Sequence, residues 1–178
     1  MLKRWNKSGQ FYLVAAMIIA SIIIGVTAIS NYSKKQDFTK LESLKEEIQI
    51  ESSAVLDYGN YNKLSETATR QLLENFSNDY ITSEGNDKNF YFIFGKKTNM
   101  TFLARQDFSE TIELEFDAGS ISPQIVQGET YKYSFSVAGN QTSLIIDDST
   151  QDFELNYGEN FYFIVSQQIK GDKYIVTN

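Results

Sequence analysis

The chain has 178 residues and a formal net charge of −7, and it contains neither histidine nor cysteine. These two absences exclude Ser-His-Asp and Cys-His catalysis, thiolate redox chemistry, disulfide bonds and the usual zinc ligands. All 23 acidic residues follow Lys35, whereas five of the 16 basic residues lie at or before it, so the acidic remainder is a poor partner for anionic lipid and we expect no nucleic-acid partner.

A short basic leader at the N-terminus precedes a long uncharged stretch. The leader carries three basic residues: Lys3, Arg4 and Lys7. Residues 11–29 behind it are almost wholly apolar. About 19 residues rising ~1.5 Å each nearly match the ~30 Å hydrocarbon layer of a bilayer, and only a helix satisfies every backbone amide of a single segment in lipid. The sequence therefore predicts a basic leader over residues 1–9 and a transmembrane helix, in contact with membrane lipid, over residues 10–33.

The charges on either side of this helix predict its orientation. Lys34 and Lys35 follow the helix, but Asp37 lies close to them, so the excess of positive charge is on the leader side. Because positively charged flanks stay in the cytoplasm, we expect a single-pass protein of the cell membrane with a cytoplasmic N-terminus and an ectodomain outside.

Three mature forms are compatible with this N-terminus. Cleavage after the small-x-small motif that ends at Ala28 would release a secreted protein. The absence of cleavage would leave a permanent signal anchor. Cleavage between Gly9 and Gln10 would remove the basic leader alone and leave the apolar helix on the mature chain.

The order of residues around Gly9 resembles that of one family. Basic residues, a glycine, a polar residue and an uninterrupted helix that begins Phe-Tyr-Leu-Val-Ala-Ala are similar to the type III signal peptide of type IV pilin-like proteins, particularly archaeal ones. The resemblance implies that Gly9 precedes the scissile bond, that Gln10 is the first mature residue, and that a prepilin-type peptidase cuts on the cytoplasmic face. Bacterial pilins usually carry Glu at the fifth mature position, where this chain has Val14. The resemblance is therefore to the archaeal branch.

Beyond the membrane segment the apolar residues keep a helical period. Leu41, Leu44, Ile48 and Val55 recur at helical spacings with Lys and Glu between them. The first break in the pattern is at Gly59, since glycine suits a left-handed helix stop. We therefore expect one helix of about 48 residues that leaves the membrane as a stalk.

A second amphipathic helix is predicted after this break, so that stalk and second helix together occupy residues 34–82. Its apolar stripe consists of Leu64, Ala68, Leu72, Leu73, Phe76 and Tyr80. Glu66, Arg70 and Glu74 are expected to form a spaced ion ladder on the exterior of the helix.

After a turn at residues 83–87 the apolar period changes from about 3.6 residues to 2. The predicted strands lie at residues 90–94, 100–105, 112–116, 131–137, 143–147, 153–157, 161–167 and 174–177. Aromatic residues alternate in this region as they do in half-buried strands. Short strands at this spacing are typical of an antiparallel β-sandwich. The predicted fold class is therefore α+β, with a long N-terminal transmembrane and stalk helix, a second helix and a sandwich-like β head over residues 83–178.

Two local patterns refine this head. Residues 170–173 predict a hairpin turn between the last two strands. Residues 89–93 and 160–164 share the motif Asn-Phe-Tyr-Phe-Ile, which favours two similar buried hairpins over a duplicated domain.

Carboxylate pairs are the remaining candidates for acid–base chemistry. Glu46 with Glu47, and Glu113 with Glu115, are predicted on solvent-facing sides, where a carboxylate keeps its ordinary acidity and is a poor general acid. We therefore expect no catalytic residue and no enzyme activity.

One acidic stretch partly follows the spacing of an EF-hand calcium loop. It contains Asp148, Thr150, Asp152, Glu154, Asn156 and Glu159. Phe153 stands where the loop needs glycine and already belongs to a predicted strand, so the stretch indicates an acidic turn between strands. We expect neither a bound metal nor a cofactor.

Three Asn-X-Ser/Thr sequons are candidate N-glycosylation sites on the predicted outer side. They begin at Asn75, Asn99 and Asn140. Surface glycans there would solubilise an exposed stalk or filament.

The resemblance implies a non-enzymatic, membrane-anchored structural protein: a pilin-like subunit whose apolar helix packs with other copies or pilin-like subunits in a surface filament. Removal of the leader would take away charges that cannot enter such an apolar core. The alternative is a permanently anchored binding or adhesion module whose aromatic-rich head recognises a surface polymer or partner. An exposed aromatic groove on the head would favour the binding module, and a covered head would favour the filament subunit.

Overall fold

A computed structural model of the protein describes the backbone of residues 7–178 and the side chains of Tyr12 and of residues 15–178. Lys3 and Arg4 of the basic leader lie outside the described residues. The chain divides into two compact units, of which the first ends at Lys40 and the second is Leu41–Asn178.

Two α-helices precede the sheets: α1 is Lys7–Tyr61 and α2 is Glu66–Glu84. The predicted stop at Gly59 is wrong, because α1 continues past it. A Cβ added to Gly59 would lie 3.1 Å from Oγ1 of Thr69, so glycine permits the close approach of the two helices. The residue with positive φ after α1 is Lys63, at φ 51°.

The buried face of α2 confirms only part of the predicted stripe. It consists of Thr69, Leu73, Ser77, Tyr80 and Ile81. Ser65 caps the helix, since its hydroxyl accepts a hydrogen bond from the Ala68 backbone N–H at 3.3 Å. Ser77 is tolerated in the core because its Oγ donates to the Leu73 carbonyl at 2.8 Å.

Nine antiparallel strands follow in the described residues. They are β1 (Lys88–Lys96), β2 (Asn99–Arg105), β3 (Ile112–Phe116), β4 (Gly119–Ile121), β5 (Thr130–Phe135), β6 (Gln141–Ile146), β7 (Ser149–Glu154), β8 (Asn160–Ile169) and β9 (Asp172–Thr177). One sheet has the order β5-β2-β1-β8-β9 and the other β4-β3-β6-β7. The α+β class is confirmed. Each predicted strand overlaps an observed one, but β7 starts before its predicted position, and β4 has no apolar pattern that predicts it.

The five-stranded sheet is covered on both faces, so the prediction that its first strand is half-buried is wrong. Seven of the nine residues of β1 are buried. Phe90, Phe92 and Phe94 belong to one core cluster, together with residues of both helices. Tyr91 and Ile93 belong to a second cluster, together with residues of the four-stranded sheet. The unit Leu41–Asn178 therefore consists of three layers: helices, five-stranded sheet and four-stranded sheet.

The last part of α1 contributes to the first of these cores. Leu41, Leu44 and Ile48 are buried there and Val55 packs against them, as the helical spacing predicts. Residues of the predicted stalk thus share a core with the β strands. The division into residues 34–82 and 83–178 stays a prediction.

The ion ladder predicted on the exterior of α2 connects the helix to the five-stranded sheet instead. Glu66 lies 3.5 Å from Lys96 of β1. Glu74 lies 2.5 Å from Lys132 of β5. These acidic residues therefore pair across elements.

The predicted hairpin between the last two strands is confirmed. Ile169 of β8 pairs with Asp172 of β9. The two residues between them, Lys170 and Gly171, have φ angles of 52° and 88°. Positive φ at both positions is typical of a type I′ turn, in which glycine carries no steric cost.

The repeated Asn-Phe-Tyr-Phe-Ile motif lies on β1 and β8, which pair with each other at the centre of the sheet. Each motif begins with a buried asparagine that fixes a neighbouring loop. Oδ1 of Asn89 accepts from the Asp107 backbone N–H at 2.6 Å. Oδ1 of Asn160 accepts from the Asn156 backbone N–H at 2.7 Å. Two similar hairpins, β1–β2 and β8–β9, account for the repetition.

The acidic stretch with calcium-loop spacing runs along β7. Phe153 is buried, and Oδ1 of Asp152 accepts from Oγ of Ser143 at 2.6 Å. Within the described residues, no group of three or more candidate metal-ligating side chains comes together.

Substitution of two isoleucines of α1, one buried and one exposed, tests whether this helix is part of the core. Ile48 is 0% exposed and Ile50 is 70% exposed. We expect Ile48→Ala to lower the free energy of unfolding by about 2–5 kcal/mol, because it removes buried methyl groups and leaves a cavity. Ile50→Ala should change it by less than about 0.5 kcal/mol.

The measurement is urea unfolding of the full chain in mild detergent, followed by near-UV circular dichroism. Equal losses of stability in the two variants would contradict the packing of α1 on the sheet.

Candidate functional site

The first candidate surface is the apolar part of α1. Among the described residues, one helix is long and apolar enough to cross a membrane, and its most apolar segment is 0% buried. The large exposed side chains of this segment are Tyr12, Met17, Ile18, Ile19, Ile22, Ile23, Ile24, Val26 and Ile29. Apolar surface of this extent is unfavourable in water, and the segment is long and apolar enough to cross a membrane.

The few polar residues of this segment are compatible with apolar surroundings. Oγ of Ser21 donates to the Met17 carbonyl at 2.8 Å. Oγ1 of Thr27 donates to the Ile23 carbonyl at 2.9 Å. Each hydroxyl is therefore satisfied inside the helix, and neither needs water. Gly25 has no atom near the position of an added Cβ and leaves a gap on the helix surface.

The predicted cleavage position, Gly9 with Gln10, lies in the first turns of α1. The alternative position at Ala28 lies inside the same helix. Cleavage at either position stays a prediction.

The three predicted glycosylation sites are accessible to different degrees. Asn75 on α2 and Asn140 between β5 and β6 are exposed, whereas Asn99 at the start of β2 is half-buried. The hydroxyl residues of the three sequons are buried: Ser77, Thr101 and Thr142. Because an enzyme that reads a sequon must reach this hydroxyl, glycans would have to be added before these segments fold. Glycosylation itself stays a prediction.

Two polar grooves lie on the surface of the described part of the second unit. One, of about 400 Å³, lies between α2 and strands β2 and β5, and the other, of about 440 Å³, lies on the four-stranded sheet. Hydroxyl, amide and charged side chains line them, with Phe116 in the second. Tyr157 is 91% exposed, and the centre of its ring lies 4.6 Å from Nζ of Lys97. The aromatic residues of β1 and β8 are mostly buried.

The second candidate site is a cluster around the carboxylate of Glu110, in the loop between β2 and β3. This side chain is 1% exposed. It accepts hydrogen bonds from the Tyr91 hydroxyl at 2.5 Å, from Nδ2 of Asn89 at 2.8 Å and from Oγ of Ser166 at 2.9 Å. Nζ of Lys173 lies 2.7 Å from its Oε1. The loop that crosses from one sheet to the other is thus fixed by residues of β1, β8 and β9.

Lys173 also reaches the four-stranded sheet. Its Nζ lies 2.7 Å from Oδ2 of Asp147, in the turn between β6 and β7. The other oxygen of Asp147, Oδ1, accepts from the Thr111 backbone N–H at 2.9 Å. One ammonium group therefore contacts two carboxylates from different loops.

These contacts shift the ionisation of the cluster. Burial raises the pKa of Tyr91, and the Glu110 charge raises it further, so the hydroxyl stays protonated and donates. Burial lowers the pKa of Lys173, but its bonds to Asp147 and Glu110 outweigh this effect and the pKa is raised. The bonds from Lys173 and Thr111 lower the pKa of Asp147. Lys173 and Asp147 therefore form an ion pair at neutral pH.

Of the carboxylates predicted on solvent-facing sides, Glu46, Glu47 and Glu115 are exposed and Glu113 is half-buried. Glu110 is not among the predicted candidates. Glu110 lies in a loop, which gives no periodic signal, and the partners of its carboxylate lie between 19 and 63 positions away in sequence. No spacing in the chain could therefore have indicated the cluster.

A second carboxylate with little exposure, that of Glu159, lies where α2 meets the five-stranded sheet. Its side chain is 10% exposed, and Oε1 lies 3.8 Å from Nζ of Lys96. Within the described residues, Oε2 has no hydrogen-bond partner. Burial raises the pKa of Glu159, because the charged form loses its hydration.

We expect Glu159→Gln to stabilise the protein at neutral pH. The raised folded-state pKa means that ionised Glu159 costs stability above this pKa, and the cost disappears as the pH falls below the unfolded-state value of about 4.3. Urea unfolding at pH 7 and at about pH 3.5 should therefore show a gain at the higher pH only. Glu74→Gln, which removes from α2 the carboxylate partner of Lys132, is the matched control and should show no gain. A loss of stability in Glu159→Gln at neutral pH would contradict the burial cost.

Compared with known proteins, the chain matches no family model, no curated protein and no solved structure.

Proposed function

We propose that the protein is a membrane-anchored extracytoplasmic structural protein, a pilin-like subunit of a surface filament or related assembly, and that it is not an enzyme. The observation that carries this proposal is the apolar part of α1, whose large side chains from Met17 to Ile29 are at least 56% exposed. This surface needs apolar surroundings, and two are available: lipid before assembly and the helices of other subunits after it.

Removal of the leader fits this double use of the helix. The charges of Lys3, Arg4 and Lys7 hold the N-terminus at the cytoplasmic face of the membrane, but they cannot enter an apolar helix bundle. Cleavage between Gly9 and Gln10 by a prepilin-type peptidase would remove all three. The acidic second unit would then lie outside the cell.

The burial of the aromatic residues favours the filament subunit over the anchored binding module. Phe90, Phe92, Phe94, Phe102 and Phe163 are all at most 1% exposed. The two grooves described above are polar, and among the described residues of the head Tyr157 is the large exposed aromatic ring. A binding module would need an exposed aromatic cluster to recognise a polymer or partner.

The proposal predicts the effect of a single substitution at the leader. Gly9→Leu should block leader removal and surface assembly, because the peptidase requires a small residue before the scissile bond. The measurements are N-terminal sequencing and intact mass of the membrane fraction, together with the amount of protein released from cells by shearing. Gly25→Leu is the matched control, since it changes a glycine of the same helix at a position with open space, and its leader should still be removed.

The native N-terminus decides between the mature forms. A start at Gln10 supports the pilin-like subunit. A start at Met1 would identify a permanent anchor, and a start at Ile29 would identify a secreted head, so either result contradicts the proposal. Normal processing and shearing of Gly9→Leu would also contradict it.

A further inference from the structure

We propose that the side chains of Lys173 and Asp147 become joined by an amide bond, and that Glu110 is the catalytic proton carrier for this reaction. The product would be a covalent cross-link between the two sheets, formed by the folded chain without an added reactant. This inference does not depend on the function of the apolar helix.

The reacting groups are already in contact. Nζ of Lys173 lies 2.7 Å from Oδ2 of Asp147. Lys173 is fixed on β9 and Asp147 is fixed in the turn between β6 and β7, where its backbone N–H also donates to the Thr111 carbonyl at 2.9 Å. Two groups held at this separation by a folded chain react as one molecule, which removes most of the entropic cost of bringing them together.

Glu110 is placed to move the protons. Its Oε1 lies 2.7 Å from the same Nζ. Its other oxygen is held by Tyr91 and Asn89 at 2.5 and 2.8 Å, so the carboxylate is fixed in orientation and lies out of contact with solvent. A proton acceptor must lie within hydrogen-bond distance of the proton that it takes, and Glu110 meets this requirement.

The carboxylate of Asp147 has a donor aimed at the oxygen that would carry the developing charge. The Thr111 backbone N–H lies 2.9 Å from Oδ1. A fixed backbone N–H in this position stabilises the negative charge of a tetrahedral intermediate. Lys173 thus supplies the nucleophile and Glu110 the base. Asp147 supplies the acceptor, with the Thr111 N–H as a fixed donor to its Oδ1.

The reaction balances within these groups. Glu110 takes one proton from the Lys173 ammonium, and the freed nitrogen electron pair forms the bond to Cγ of Asp147. The bond from Cγ to Oδ2 then breaks. Oδ2 leaves as water. One of its two protons is returned by Glu110, and the other comes from the nitrogen. An ammonium and a carboxylate contain the atoms of one amide and one water, so no net proton and no oxidant are required.

A cross-link at this position would join the two sheets by a covalent bond between side chains. The chain contains no cysteine. The bond would close a loop of 26 residues and connect β9 of the five-stranded sheet to the four-stranded sheet. Closure of a loop reduces the freedom of the unfolded chain and so favours the folded state.

The test is mass spectrometry of the full-length protein, purified in detergent. We expect a branched peptide that joins the Lys173 and Asp147 segments after proteolysis, and an intact mass lower by one water than the sequence requires. Asp147→Asn should give the same branched peptide with the loss of ammonia. Lys173→Arg keeps the positive charge but should give neither the branched peptide nor the mass deficit.

Two further variants separate the chemistry from folding. Glu110→Gln keeps the size of the side chain and should abolish or strongly slow cross-link formation. Lys132 is the control, because its Nζ lies 2.5 Å from Glu74 and contacts no second carboxylate in the described part of the chain. Lys132→Ala should leave the mass deficit of one water unchanged. A wild-type protein with its full mass and no branched peptide would show that Lys173 and Asp147 form a plain ion pair and would overturn the proposal. An undiminished cross-link in Glu110→Gln would overturn the role of Glu110.

Discussion

The fold of the second unit depends on a sheet that must be apolar on both faces. The side chains of β1 and β8 alternate between a core shared with the helices and a core shared with the four-stranded sheet. Both faces of these strands are therefore apolar, and consecutive residues such as Phe90, Tyr91 and Phe92 are all buried. Since the chain has no cysteine, no disulfide joins the three layers, and the burial of apolar side chains on both faces of this sheet stabilises them. The buried asparagines at the starts of both strands are acceptable because the loops that they fix satisfy them.

Most of the fold was predictable because its elements have clear periods. The burial of Leu41, Leu44 and Ile48 follows directly from their helical spacing. The wrong predictions have a common cause, since they concern contacts between elements. Gly59 reads as a helix stop, but its role is to make room for Thr69 of the second helix. The strand β1 reads as half-buried, because a sequence pattern cannot tell whether a second layer covers the other face. The three residues of β4 pair only because β3 lies beside them.

The two candidate sites differ in the same way. The apolar helix is a local property of consecutive residues, so composition and length alone indicate it. The cluster of Glu110, Asp147 and Lys173 exists only because the sheet order brings β9 next to β8 and the turn after β6 next to the loop before β3. Nothing in the sequence around any one of these residues distinguishes it from an ordinary surface charge. Of the three, Glu110 is the buried one, with a side chain 1% exposed, and burial makes its charge costly unless it is paired. The side chains of Lys173 and Asp147 are 27% and 45% exposed.

The pairing of β1 with β8 has a consequence for the newly made chain. Gly95 and Asn160, which lie opposite each other at one end of this ladder, are 65 positions apart. Contacts between such distant segments form late, because a long loop must close first. Until then the chain presents two short segments with high β propensity, low charge and no proline, which is the composition that favours association between molecules. The interval between synthesis and closure of the central ladder is therefore the period in which this protein is most exposed to aggregation.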